Sequence, residues 1–170
     1  GNFFVTWTEF FTEIGKTSSV FGRMYNSSGS PLGNDYHFQA NAKTDQDDSC
    51  VVSFPRGGFI ATWTNNNQTG KWYELYGQLF DNNGQNLGPE FPIFSNVTEY
   101  IPPNCAATFS DSSFLVVWSQ KNEYNHEIVG QAFDSNGKPI INRSKISQMT
   151  PYDFSDYPAI TTLNNDRAIV

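Results

Sequence analysis

Short apolar runs alternate with polar residues at a period of two along this chain, and the alternation repeats. Phe3-Phe4-Val5-Thr6-Trp7, Phe59-Ile60-Ala61-Thr62-Trp63 and Phe114-Leu115-Val116-Val117-Trp118 are versions of one phrase, and Ala168-Ile169-Val170 begins another. β-Branched and aromatic residues at this period predict strands. No stretch shows a helical period of useful length. The clearest copy predicts strands at Cys50–Phe54, Phe59–Thr64, Tyr73–Phe80 and Glu90–Phe94. The next predicts Cys105–Phe109, Phe114–Ser119, Glu127–Phe133 and about Ile140–Ile146. The first copy has no leading strand and reads Phe3–Thr8, Ser19–Tyr25 and Asp35–Phe38, while a last leading strand falls at Ala159–Leu163.

The spacing of about 55 residues lies in the range of propellers, solenoids and arrays. It divides the chain at residues 1–48, 49–103, 104–157 and 158–170. The second strand of the third copy is apolar on both faces, Phe114, Val116 and Trp118 against Leu115 and Val117. A strand buried on both sides belongs in the middle of a stack. Pro92 demotes the fourth strand to an edge. The third-to-fourth connections, Asn26-Ser27-Ser28-Gly29, Asp81-Asn82-Asn83-Gly84 and Asp134-Ser135-Asn136-Gly137, share one chemistry. An Asx side chain caps the turn and Gly takes positive φ after it. Each third strand also holds a glycine, Gly22, Gly77 or Gly130. The tryptophans Trp7, Trp63 and Trp118 are expected to pack over these glycines, as aromatic side chains cover glycines across strands. Linkers of about ten residues span roughly 33 Å, enough to cross roughly 14 Å of sheet back to the inner edge of the next unit. The expected fold is all-β: repeated four-stranded antiparallel units, β-propeller-like.

The pattern F-[FIL]-[VA]-x-W followed by G-[QR]-x-[FY]-[DN]-x-[NS]-G resembles tandem repeats of large secreted and cell-surface proteins, including adhesin-like ones. That resemblance covers essentially the whole chain and implies four-stranded blades. The sialidase aspartate box, Ser-x-Asp-x-Gly-x-x-Trp, is missing. So is the Asp-x-Asp-x-Asp-Gly calcium loop of integrin-type blades, in whose place Asp81-Asn82-Asn83-Gly84 offers one acidic ligand.

Composition narrows the partners. The net charge of −7 leaves nothing to neutralise phosphates, so no nucleic acid is expected. No run approaches the roughly 20 apolar residues of a membrane span. Charged residues make up only 16% of the chain, and Asn, Ser and Thr are abundant, which suits an extracellular or cell-surface location. The sequence has neither an initiator Met nor a signal peptide, so any targeting segment would lie outside it.

Candidate chemistry is sparse. Asp81 and Asp134 read as turn caps before calcium ligands, because the first copy uses neutral Asn26 there. Asp45, Asp47 and Asp48 form a denser acidic group in a presumed linker, a solvated loop or a calcium site. His37 and His126 occupy non-equivalent repeat positions and read as surface residues without converging partners. No cofactor or metal site is expected. Cys50 and Cys105 hold the same place in successive units. Outside the cell that predicts a disulfide, worth about 4 kcal/mol by loop entropy; two free buried thiols are the rival reading. Asn-x-Ser/Thr sequons at Asn26, Asn67, Asn96 and Asn142 all fall at positions expected to be exposed, as glycan acceptors must be. Trp72, Tyr73, Tyr100, Tyr124 and Tyr152 are expected in loops, where they could stack on sugars or pack locally.

Three units are few for a closed ring. The first lacks a leading strand and the last leading strand lacks a full partner. Either the chain continues, or one copy completes the next by strand addition. The expected function is structural: an adhesive or filamentous building unit of an extracellular repeat protein, self-associating and glycosylated, with no enzymatic role. The alternative is a lectin-like propeller, and a propeller hydrolase comes third.

Overall fold

A computed structural model describes residues 1–11, 18–38, 44–67, 73–97, 104–121, 126–147, 156–163 and 166–170. Among these, every regular element is a strand. The first sheet comprises β1 (Phe3–Phe10), β2 (Ser18–Tyr25) and β3 (Pro31–His37). The second comprises β4 (Thr44–Ser53), β5 (Phe59–Asn67), β6 (Tyr73–Phe80) and β7 (Phe91–Val97), paired in chain order. The third comprises β8 (Cys105–Thr108), β9 (Phe114–Lys121), β10 (His126–Phe133) and β11 (Ser144–Lys145), again in chain order. A two-stranded sheet of β12 (Thr161–Leu163) and β13 (Arg167–Ile169) follows. All pairings are antiparallel.

Turn chemistry explains the order within each sheet. The Asn26 side-chain oxygen accepts from the backbone N–H groups of Ser28 and Ser30 at 3.0 and 2.9 Å. Asp81 does the same for Asn83 and Gln85, and Asp134 for Asn136 and Lys138. The glycines that follow have φ of 79°, 78° and 81° at Gly29, Gly84 and Gly137. The backbone donors, Gln85 first, hold the exposed Asp81 carboxyl below its usual range. These aspartates therefore cap turns, as expected.

The sheets stack face to face, and the core lies between them. Val20, Met24, Phe38, Phe59, Ala61, Trp63 and Phe80 join the first sheet to the second. Ile60, Leu75 and Ile93 meet Phe114, Val116, Trp118 and Phe133 between the second and the third. Alternation along β5 thus sends Phe59, Ala61 and Trp63 one way and Ile60 the other, so this strand is buried on both faces. Burying such large side chains on both faces of the middle sheet contributes about 1.5–3 kcal/mol per residue before entropy is counted.

Two expectations require correction. The glycines are not covered by the tryptophans. Gly77 pairs with Thr62, while Trp63 pairs with Tyr76, so Trp63 and Gly77 face opposite sides of the sheet. A side chain at Gly77 would instead meet Phe91 Cζ at 3.0 Å and Ile93 Cδ1 at 3.1 Å. One at Gly130 would meet Ile146 and Leu115, and one at Gly22 would meet the Phe4 ring and Phe38. Neighbours on the glycine's own face take up the space. The second correction concerns the acidic group. Asp45, Asp47 and Asp48 lie inside β4, which begins at Thr44, and not in a linker, so a boundary at residue 48 cuts a strand. The pairing of β4 with β5 shifts between Asp47 and Cys50, and Asp48 takes φ of 55° there. A bulge absorbs the extra residue and lets the strand run on.

Candidate assembly face and inner-strand cleft

The first three sheets repeat one ring stack. Phe59 lies on Phe80 with centroids 4.7 Å apart and planes 10° from parallel, and Phe114 lies on Phe133 at 5.1 Å and 12°. Phe3 lies on Tyr25 at 5.5 Å and 12°. A second stack, Trp63 on Tyr76 at 6.2 Å, recurs as Trp7 on Phe21 at 6.2 Å. In the second and third sheets these rings face the preceding sheet, and Phe59, Ala61 and Trp63 on β5 and Phe114, Val116 and Trp118 on β9 are buried. In the first sheet the same positions are open: Phe3 is 47% exposed and Val5 39%. Phe21 also stacks on His37 at 4.6 Å, extending the row of rings. Arg23 closes the row with an ion pair to Asp35 at 2.5 Å. A ring stack that forms core twice and lies open once is a surface of the kind that marks interaction.

The leading strands are also arranged in common. β4 packs beside β1, β8 beside β4, and β12 beside β8. An opening of about 360 Å³ is lined by Val51 to Ser53, Ala106 to Thr108 and Ile160 to Thr162, one segment from each leading strand. Repeated hydrogen bonds stitch this inner layer together. Thr108 Oγ1 donates to the Ser53 carbonyl at 2.8 Å, and the Ser110 N–H donates to the Asp166 carboxylate at 2.8 Å. Asn104 Nδ2 donates to the Asp48 carbonyl at 2.8 Å, and Asn104 Oδ1 accepts from Thr62 Oγ1. These links join residues 42 to 56 apart in sequence.

Beside β1 the pattern has a gap. β5 has β4 on its inner edge and β9 has β8, but among the described residues β1 pairs only with β2. A cleft of about 620 Å³ lies near the start of β1, between the first and second sheets. Phe3 and Phe4 form one wall, and Val51, Ser53 and Gly58 form the other. Met24 of β2, Phe59 of β5 and Asn82 of the turn after β6 also line it.

The other candidates are placed as follows. The Cys50 thiol donates to the Cys105 sulfur across 3.9 Å, and both residues are half-buried and unbonded. Asn26 is engaged at its turn, and Asn142 is exposed. Asn67 and Asn96 lie at the ends of β5 and β7, where a loop and a post-strand position were expected. Tyr73 is not a loop residue: it opens β6 and packs against the core between the second and third sheets. Trp72, Tyr100, Tyr124 and Tyr152 lie outside the described residues.

His126 is not a surface residue without partners. Its Nδ1 lies 2.9 Å from Asp156, which also accepts from Ser119 Oγ at 2.6 Å. Burial works to raise Asp156, but Ser119 and His126 outweigh it and hold the carboxyl below its usual range. Ser119 is fully buried and sends its proton to the carboxylate, so this group ties β9 and β10 to the approach to β12. Among the described residues no group of His, Cys, Asp and Glu could hold a metal ion. Sequence reasoning overlooked the open ring face. Phe3, Val5 and Trp7 align with Phe114, Val116 and Trp118, so the ring positions are legible in the sequence, but which copy is covered is not.

No protein-family model and no curated protein matches the chain.

Proposed function

We propose that this chain is a structural building unit of an extracellular, adhesin-like repeat assembly, with blades of propeller type, in which the first sheet is covered by a second copy. The ring stack carries this reading: Phe3–Tyr25 repeats the geometry of Phe59–Phe80 and Phe114–Phe133, yet lies open. A complementary face exists on the third sheet. Ile146, 38% exposed, and the partly exposed Leu115 lie over Gly130 just as Ile93 and Phe91 lie over Gly77. Contact between these two different faces is heterologous, so it propagates head to tail into a filament unless the rotation closes a ring. In the same contact a strand from the second copy would add to the edge of β1 opposite β2. Covering that edge also removes an aggregation hazard. The opening shared by three leading strands supports the propeller arrangement, since inner blade strands surround a common channel. Glycans on exposed sequons such as Asn142 would leave both faces free.

Sedimentation over a concentration series, together with electron microscopy, tests the reading. Association that rises with concentration is expected, and Phe3→Ser with Trp7→Ser should abolish it while leaving the fold intact. A wild-type chain that stays monomeric at every concentration would overturn it. One observation favours a second reading, a lectin-like site: the open row Trp7, Phe21 and His37 is a stacking platform for sugar rings. Glycan-array binding that Trp7→Ala removes, from a monomeric protein, would select that reading.

A further inference from the structure

We propose that Cys50 and Cys105 form a disulfide-exchange site, in which Cys105 attacks a small-molecule disulfide and Cys50 resolves the product into a bond between the second and third sheets. The geometry is built by the repeat. Cys50 pairs with Thr62 on β5, and Cys105 with Val117 on β9, at matching places in the two sheets. Packing of β8 beside β4 then sets the sulfurs 3.9 Å apart, close enough to bond with a small shift of side chains. Both residues are half-buried, so a small disulfide can approach.

The two thiols are unequal. Cys105 accepts the hydrogen bond from the Cys50 thiol and lies against the backbone N–H groups of Ile160 and Ala106, which hold its thiol below the usual range. Cys50 is the donor and the more deeply placed, and its thiol is pushed up. A thiolate and not a thiol is the nucleophile. Cys105 therefore attacks one sulfur of the disulfide R–S–S–R, forming Cys105–S–S–R and releasing one R–S⁻. Cys50 gives its proton to solvent and attacks the Cys105 sulfur, forming Cys50–S–S–Cys105 and releasing the second R–S⁻. The protein loses two electrons and the small disulfide gains two. The result is a covalent link between two inner strands that hydrogen bonds otherwise hold.

Oxidised glutathione, added to the reduced full chain and quenched with acid over time, supplies the test by peptide mapping. The first adduct should appear on Cys105, and the end product should carry the Cys50–Cys105 bond with no glutathione. Cys50→Ser should accumulate glutathione on Cys105. Cys105→Ser should be modified on Cys50 at least tenfold more slowly. If a serine variant misfolds, the order of modification in the wild-type chain still decides. First modification at Cys50, equal rates at both thiols, or an end product glutathionylated at both without a cross-link would overturn the assignment.

Discussion

Phe59 and Phe80 lie ring on ring, 4.7 Å apart and 10° from parallel, with Phe80 fully buried and Phe59 nearly so. Their counterparts in the first sheet, Phe3 and Tyr25, have the same relationship with one side in solvent. The difference has a measurable consequence. Phe80→Ala should cost about 3–5 kcal/mol in chemical denaturation, the usual range for a buried phenylalanine. Phe3→Ala should cost the isolated chain about 1 kcal/mol or less and should act instead on self-association. Equal losses for the two would contradict the placement of the open face.

The glycines should separate by what surrounds them. At Gly58, φ is +80° and an added Cβ would sit 2.5 Å from the Phe80 carbonyl oxygen. Backbone cannot step aside, so Gly58→Ala should cost about 2–4 kcal/mol. At Gly130 the obstacle is Ile146 Cδ1 at 2.6 Å, the end of a flexible, partly exposed side chain. Gly130→Ala should therefore fall within about 1 kcal/mol of the wild type. Gly77→Val should be severe because of Phe91 and Ile93, and a Trp63 variant should not relieve it.

Stability should decline with pH through one window. Burial raises Asp47 to about 6, against partial compensation from Ser18 and with further raising by Asp48 and Asp45. Its unfolded value is about 3.9. The folded chain thus holds the proton more tightly, so this contribution is complete below about pH 4 and is lost as pH rises through about 6. Asp47 is half-buried, so the effect is about 1 kcal/mol. Denaturation midpoints of Asp47→Asn should lack that decline, and an unchanged slope between wild type and variant would refute the assignment.

The turn caps should tolerate amide and reject methyl. Asp134 accepts backbone N–H groups from Asn136 and Lys138, both at 2.9 Å, and Asn26 does the same work in the first sheet with a neutral side chain. Thermal unfolding of Asp134→Asn should match the wild type within about 0.5 kcal/mol, and Asp134→Ala should lose about 1 kcal/mol.

Strand positions and turns were legible because they rest on local chemistry. The strand expected at Tyr73–Phe80 is β6, although Tyr73 is also expected among the loop aromatics, and Asn26, Asp81 and Asp134 cap their turns through neighbours two and four residues on. The β4 start was misread because Asp45, Asp47 and Asp48 look like a solvated loop, yet pairing with β5 and links to β2 bury them in part. The amino-acid sequence by itself determined the repeat, the four-strand unit, the edge position of the fourth strand and the matching positions of Cys50 and Cys105. The tertiary structure alone decided which residues share a face. A one-residue offset, Thr62 and not Trp63 opposite Gly77, sends the tryptophan and the glycine to opposite sides of the sheet, and no local pattern carries that parity. Only the stacking of sheets, too, could show that one ring stack is buried twice and open once, because burial depends on what packs against a face and not on the face's own residues.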